Sequence, residues 1–484
     1  MNHATSLLRR LLPLAVGILL AGPVAAKTVD TLADPALAMT VDGRAYPAGI
    51  IDMMLAAAQQ ARREATWEQM LDSVAENQLM AAHAVRELGR ERLLPVDKVG
   101  FAPQALLEEQ FNALIKMHYF RQIDGYVKSR PGGNLDGLIV RELPPDDPAV
   151  RELTTLRDIG EVRLTPEQRQ LAARTVMAEV RFPDGSGNNI TFDDVYTRMN
   201  VQGRVRVLQD RDLRFLGNQV RTRVEGLFVS WWAATQSGLS SAEIATLRTM
   251  LEEKMLRENY VMAMGVVSTL HEDTTPNLER LQKAVTRAEI RAWYTKNRDQ
   301  FRQVEKVRAR HIRCATEAAC QQALDAVNGG MEFSAAARKF SIADDRLATP
   351  AGNLGWIARA QQELPWLHQI ALIQQQGQVT PPIRSPEDAA GNAVWEVVRV
   401  DERIEGYSPV DSETVAYQAR QEIAKKKAVQ QYKARRDALL AAADIRRNGK
   451  LLAARREAEA KAPPVPRPAT PAADPHGHGH GHRH

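Results

Sequence analysis

Residues 285–314 read VTRAEIRAWYTKNRDQFRQVEKVRARHIRC. The first half places Glu289, Ile290, Trp293 and Tyr294 in a pattern that favours an amphipathic helix. The second half, Val307 to Cys314, is strand-like. A helix that leads into a strand predicts the opening of a domain that contains both kinds of element.

Short strands and helices alternate beyond this opening. Turn residues at Gly329-Gly330, Ala351-Gly352-Asn353 and Pro381-Pro382 separate them. This pattern predicts an α+β fold. Four further segments carry a more specific signal, and they are GGMEFSAAARKFS (329–341), AGNLGWIARAQ (351–361), QQGQVTPPI (375–383) and WEVVRV (395–400).

In this order, the five segments resemble the parvulin-type peptidyl-prolyl isomerase domain of bacterial envelope foldases. The layout around them, with helices before and one long helix after, resembles SurA-type periplasmic chaperones and their PpiC-type relatives. The resemblance implies a small curled antiparallel sheet wrapped by helices. It also implies a shallow pocket that holds a proline ring. We further predict that this parvulin domain is inserted in a mainly α-helical chaperone body, because the helix 412–443 has a one-sided apolar stripe that the helices before the domain would cover.

The chemistry of such a pocket is simple. Rotation of an X-Pro bond crosses a barrier of roughly 18–20 kcal/mol that amide resonance sets, and no bond breaks. An apolar pocket lowers this barrier when it binds the twisted, less polar amide better than the planar forms. We therefore expect no metal, nucleophile or cofactor in the reaction.

The resemblance assigns catalytic candidates residue by residue. The histidine of the family's first strand corresponds to His311, which also fits a core histidine. The family's Cys or Asp after the Phe-Ser pair corresponds to Ala343, and the neighbouring Asp344 is the candidate substitute. In the last strand, Glu396 stands where the family usually has a second histidine. A His311–Glu396 pair would preserve a hydrogen bond behind the pocket, since a carboxylate accepts from an imidazole N–H; the exchange equally fits a decayed site.

The resemblance also assigns the lining of the proline pocket. The Met and Phe of the family correspond to Gln362 and Trp366, so one wall position is polar in this chain. Leu354 and Ile373 fit the remaining apolar lining, and both also fit plain core positions.

The chain contains only two cysteines, Cys314 and Cys320. They lie at the end of the first strand and near the start of the next helix, and an oxidising compartment favours their pairing. We predict a disulfide between them. The short loop limits its entropic contribution to about 2 kcal/mol.

The first 26 residues have the composition of a secretory signal peptide. Arg9 and Arg10 precede the apolar run from Leu11 to Gly22, and small residues follow at Ala25-Ala26. An uncleaved anchor is the alternative, but the run is much shorter than the roughly 20 residues that a membrane helix needs. No later stretch is long and apolar enough for a membrane segment. We predict export to the periplasm and cleavage after Ala26.

The rest of the chain is predominantly helical in pattern. Predicted helices cover 48–63, 67–88, 103–127 and 412–443. The predicted domains are a signal peptide (1–26), an N-terminal helical chaperone segment (27–130), a linker (131–164), a second helical segment (165–302), the isomerase domain (303–402), a C-terminal long helix (403–456) and a disordered tail (457–484).

The tail ends in HGHGHGHRH. Imidazoles that alternate with Gly on a flexible chain favour weak binding of Ni²⁺, Zn²⁺ or Cu²⁺, and a purification tag is the alternative. The histidines concerned are His476, His478, His480, His482 and His484.

Charge and composition limit the partners. The chain has 64 Lys and Arg against 59 Asp and Glu, a balance too even to indicate nucleic-acid binding. Three functions remain open: a prolyl isomerase for exported proteins and proline-containing peptides, a non-catalytic holdase, and a dedicated assembly factor for one exported metalloprotein. A holdase would use flexible apolar contacts such as Met53, Met54, Met80, Met117, Met262 and Met264.

Overall fold

The computed structural model describes residues 32, 34–61, 64–95, 102–144, 146–155, 162–267, 274–360 and 363–461. They divide into two units. The first takes in the chain up to Thr275 and again from Val429, and the second is Pro276–Ala428. The predicted signal peptide, Gln362, and the tail histidines lie outside the described residues.

The first unit opens with a β-hairpin. β1 (Leu37–Val41) and β2 (Arg44–Pro47) pair antiparallel across Asp42-Gly43. Both turn residues have positive φ, 48° and 79°, which is the conformation that a tight two-residue hairpin needs.

Five helices follow, namely α1 (Ala48–Ala61), α2 (Trp67–Leu88), α3 (Arg90–Leu93), α4 (Pro103–His118) and α5 (Phe120–Lys128). Thr66 starts α2 with a capping box to Gln69, and Gly89 ends it. The predicted helix 67–88 is therefore confirmed at both ends.

Residues 131–164 are not the predicted linker. They contain two short 3₁₀ turns, β3 (Ile139–Glu142) and α6 (Pro148–Leu153). α7 (Pro166–Arg174) leads to a hairpin of β4 (Val176–Arg181) and β5 (Gly187–Thr191), and the strand order is β3-β4-β5. The prediction of an all-helical segment from 165 is wrong here because β3 and β4 gain their hydrogen bonds from each other across the chain.

The core of the first unit is completed by α8 (Phe192–Thr197), α9 (Val201–Leu208), α10 (Leu213–Thr235) and α11 (Ser241–Ala263). Among the methionines considered as client contacts, Met53 and Met80 are 1% and 0% exposed. Met54 and Met117 pack against one apolar cluster and Met264 against another. These five side chains therefore pack within the first unit, which does not favour the predicted use of methionines as client contacts.

The second unit contains α12 (Pro276–Lys283), α13 (Arg287–Asn297), β6 (Arg302–Cys314), α14 (Glu317–Asn328), α15 (Phe333–Phe340), β7 (Asn353–Ala358), α16 (Trp366–Ile373), β8 (Ile383–Arg384) and β9 (Trp395–Tyr407). Its antiparallel sheet has the order β7-β6-β9-β8. β6 pairs with β9 from Arg302↔Tyr407 to Cys314↔Trp395. The predicted limit at 402 falls inside β9, so the domain is wider than 303–402.

Helices cover both faces of this sheet. Val307, Ala309, Val398 and Val400 pack with Leu367 and other residues of α16. On the opposite face, Ile312, Cys314 and Val397 pack with residues of α14 and α15. The predicted small antiparallel sheet wrapped by helices is confirmed.

The chain then forms α17 (Glu413–Ala442), β10 (Ile445–Arg447) and α18 (Gly449–Lys461). β10 pairs antiparallel with β1, which gives the sheet order β10-β1-β2. The segment 403–456, predicted to hold one long helix, therefore also contains β10 and part of α18. Because the first unit contains both ends of the described chain, the prediction of an inserted domain in a mainly α-helical body is confirmed.

The part of α17 in the first unit is covered by helices of that unit. Tyr432 is 4% exposed and donates a hydrogen bond to Glu76 Oε1 at 2.8 Å. Arg257, which is 4% exposed, bonds the same oxygen at 3.3 Å.

In the described part of the chain, no helix is both long and apolar enough to cross a membrane.

Candidate functional site

His311 lies on β6 and is 3% exposed. Its Nδ1 is 2.7 Å from Oε2 of Glu396, and its Nε2 is 2.8 Å from Oδ2 of Asp345. Carboxylates only accept hydrogen bonds when they are ionised, so both ring nitrogens donate when the two acids are charged. The geometry fits a protonated imidazole held between two carboxylates.

The electrostatics agree with this protonation state. Burial of the ring lowers the pKa of His311, but the hydrogen bond and charge of Glu396 oppose it, and so do the charge and hydrogen bond of Asp345. The net result is a pKa above the usual histidine value.

Glu396 lies on β9 and is fully buried at 0% exposure. Its second oxygen, Oε1, accepts a hydrogen bond from Nε of Arg313 at 2.7 Å. A buried charge is tolerated only when it is paired and hydrogen-bonded. Two cations and two anions alternate along the line Asp345–His311–Glu396–Arg313, so the cluster has no net charge.

The carboxylate that contacts Nε2 of His311 belongs to Asp345 and not to the predicted Asp344. Asp344 is exposed, whereas Asp345 turns towards His311. Both residues belong to a 3₁₀ turn, Asp344–Leu347, and the backbone carbonyl of Asp345 accepts the N–H of Gly352 at 3.0 Å. Sequence reasoning locates the acidic pair but misses which member faces the histidine, because that depends on the orientation of one turn.

Gly352 holds the backbone of His311 at close range. Its φ is +71°, and its carbonyl accepts the N–H of His311 at 2.8 Å. A Cβ at this position would lie 2.2 Å from the carbonyl oxygen of His311. Only glycine fits both the backbone conformation and the close approach.

The predicted apolar lining is only partly assembled. Leu354 and Trp366 are partly buried and pack against the apolar cluster between α16 and the sheet. Ile373 is 69% exposed at the end of α16, so it is not part of that cluster. Two exposed apolar residues beside the Asp345 turn, Ile342 at 50% and Leu347 at 78%, were not identified from the sequence.

Cys314 and Cys320 are joined as a disulfide with Cα atoms 5.4 Å apart. Their exposures are 1% and 0%, and the bond connects the end of β6 to α14. The oxidation state of the protein in its native compartment stays a prediction.

No group of three or more His, Cys, Asp or Glu side chains that could hold a metal occurs among the described residues. The tail histidines lie outside them, so weak metal binding there also stays a prediction.

Comparisons with known proteins found similar solved structures and one matching family model. A chain from the structures of PEB4 and Cj1289, two SurA-like chaperones of Campylobacter jejuni, has 16% identity, covers 48% of this chain and 85% of its own, and gives a TM-score of 0.20. Another chain from that pair has 10% identity, coverages of 85% and 98%, and a TM-score of 0.22. PrsA from Bacillus subtilis has 15% identity, coverages of 55% and 91%, and a TM-score of 0.17.

TM-scores of this size do not show a shared overall fold. No curated protein sequence matches the chain. The family model described as the PPIC-type PPIase domain matches residues 285–415, which contain β6, β9 and all four members of the charged cluster. Residues 285–415 therefore form a parvulin domain of the PpiC type.

Proposed function

We propose that this protein is a peptidyl-prolyl cis-trans isomerase that assists the folding of exported polypeptides. The observation that carries the proposal is the buried imidazole of His311, fixed by Glu396 and Asp345 within a PpiC-type domain. Such a network is expensive to bury and is typical of a functional site.

The network supports catalysis by holding the walls of the pocket in place. It connects β6, β9 and the turn Asp344–Leu347, and it lies on the sheet that also supports Leu354 and Trp366. A proline ring that binds against apolar side chains is removed from water. Because the side chains around it are held in fixed positions, they favour one twisted geometry of its amide. The reaction needs no group outside the chain's own residues.

Export is the second part of the proposal. A predicted signal peptide at residues 1–26 and a buried disulfide both favour an oxidising compartment, and we assign the protein to the periplasm. N-terminal sequencing of the protein from its native cells tests this assignment. A mature end at Lys27 supports it, and an intact Met1 contradicts it.

A protease-coupled assay on a tetrapeptide with a central X-Pro bond tests the isomerase activity of the full chain. We expect catalysis by the wild type, and a loss of about ten-fold in kcat/KM for Asp345→Asn, which corresponds to about 1.4 kcal/mol. Asp344→Asn is the matched control, because it makes the same change at the exposed neighbour, and it should stay within about two-fold of the wild type. A wild-type rate equal to the uncatalysed rate would overturn the proposal.

A further inference from the structure

The side chain of His311 points to the face of the sheet that α16 covers. Side chains alternate along a strand, so Ala309, His311 and Arg313 share one face of β6. The register Ala309↔Val400 and His311↔Val398 places the valines on that same face. Ala309, Val398 and Val400 pack with Leu367, Ala371 and Leu372 of α16. α16 therefore lies over the part of the sheet that carries His311.

A second imidazole, that of His368, belongs to α16. It follows Leu367, which is buried against the sheet, and its own side chain is half-buried. Its Nδ1 is buried and has no hydrogen-bond partner.

The unpartnered Nδ1 determines the tautomer. A buried N–H without a partner is rarer in proteins than a buried acceptor without one. The proton of a neutral ring is therefore assigned to Nε2, because a proton on Nδ1 would be buried without an acceptor. His368 is left with one N–H donor, on the helix that also carries Trp366.

The charged groups around His368 come from two of the three strands that α16 contacts. β7 has no titratable side chain. β9 contributes Glu396, whose carboxylate bonds His311, and Arg403, which donates to the carbonyl of Leu372 at 3.3 Å, near the far end of the helix. Arg399 and Asp401 pair with each other, and Asp401 also pairs with Arg310, whose side chain bonds Ser334 of α15 on the opposite face.

β6 contributes His311 to this environment. Burial lowers the pKa of His368, and the positive charge of His311 lowers it further. The pKa of His311 is thus raised and that of His368 lowered, and environments that push two pKa values apart are how sites separate two roles.

We propose that His368 is a second histidine of this site and that its Nε2–H donates a hydrogen bond to the nitrogen of the bound proline. Amide resonance delocalises the nitrogen lone pair in the planar forms, and twisting returns it to the nitrogen. A donor at that position stabilises the twisted form more than either planar form. The inference rests on the proposed isomerase function.

Three variants of the full chain test the inference. His368→Leu removes the donor and should lower kcat by about ten-fold with little change in KM, because the contact forms mainly in the twisted state. His368→Gln keeps an N–H near the position of Nε2 and should recover most of this loss. Gln369→Leu, an exposed position on the same helix, is the control and should keep the wild-type rate. Circular dichroism verifies that each variant is folded.

NMR of ¹³C-labelled histidine separates this inference from the proposed activity. Addition of an Ala-Pro-containing peptide should shift the ring resonances of His368, which the Gln variant identifies. A shift without any catalysis would support the contact and overturn the isomerase. Wild-type catalysis with no shift, or a folded His368→Leu variant within two-fold of the wild-type kcat, would overturn the role of His368.

Discussion

The substitution Glu396→Gln tests how strongly the charged cluster stabilises the parvulin domain. It keeps the shape of a fully buried side chain and removes its charge. The carboxamide has one acceptor oxygen for two donors, Nδ1–H of His311 and Nε–H of Arg313. The side chain of Arg313 is 40% exposed and can turn to water, whereas that of His311 is 4% exposed and cannot.

The expected loss follows from this asymmetry. Removal of one partner of a buried ion pair costs about 3–5 kcal/mol when the remaining charge is uncompensated. Asp345 still compensates His311 in the variant, so we expect a loss of about 2–3 kcal/mol near neutral pH. Glu402→Gln is the matched control on the same strand. Its pair with Arg308 is exposed on both sides, and its loss should be about 0–1 kcal/mol.

The stability lost in the Glu396→Gln variant also depends on pH. The pKa of His311 is raised in the folded state, so its proton stabilises the fold below the unfolded pKa of about 6.5. This contribution disappears as the pH rises through the folded pKa. Without the charge of Glu396, only Asp345 opposes the lowering by burial, so the folded pKa of His311 falls and this contribution shrinks. The difference between wild type and variant should therefore be larger at pH 6 than at pH 9.

Urea denaturation of the full chain, followed by tryptophan fluorescence at pH 6, 7.5 and 9, measures these differences. The reasoning is refuted if Glu396→Gln costs no more than Glu402→Gln. It is also refuted if the difference between wild type and the Glu396 variant is the same at pH 6 and pH 9.

Three further predictions concern stability. Gly352→Ala should lower the free energy of unfolding by about 3 kcal/mol or more in thermal unfolding, because its Cβ would meet the backbone of His311. Gly377→Ala is the control, since Gly377 has a φ of +79° and open space around it, and this change should cost about 1 kcal/mol. Protein from the native compartment should contain no free thiol by titration, and Cys314→Ser should lower the free energy of unfolding by about 2 kcal/mol; two titrated thiols would contradict the disulfide. Tyr432→Phe should lower stability by about 1–3 kcal/mol in chemical denaturation, because it leaves buried Glu76 with one donor fewer, and an unchanged midpoint would contradict that role.

Local signals predicted the elements whose ends are set by neighbouring residues. α2 was placed correctly from Trp67 to Leu88 because a cap begins it and a glycine ends it. The predicted helix 412–443 differs from α17 by one residue at each end. Both helices depend on contacts within a few residues of chain, which a sequence displays directly.

Long-range pairing could not be predicted in this way. β10 is only three residues long, and it is a strand because it pairs with β1 at the other end of the described chain. β3 lies in a Pro- and Gly-rich segment that favours a loop by composition, yet β4 supplies its hydrogen bonds. The same limit applies to the site, since neither the orientation of Asp345 nor the position of α16 over His311 is encoded by residue spacing.

Glu396 shows how a departure from the family pattern alters the site without removing it. On β9, Glu396 is opposite Arg313 and diagonal to His311, so one carboxylate reaches both side chains. A histidine in its place would add a group that is neutral or cationic, and Arg313 would lose its anion. The exchange to glutamate gives the network a buried carboxylate, which raises the pKa of His311. α16, which packs on the same face of the sheet, carries the imidazole of His368, and the role proposed for this imidazole would divide the two histidines of the site between a strand and a helix.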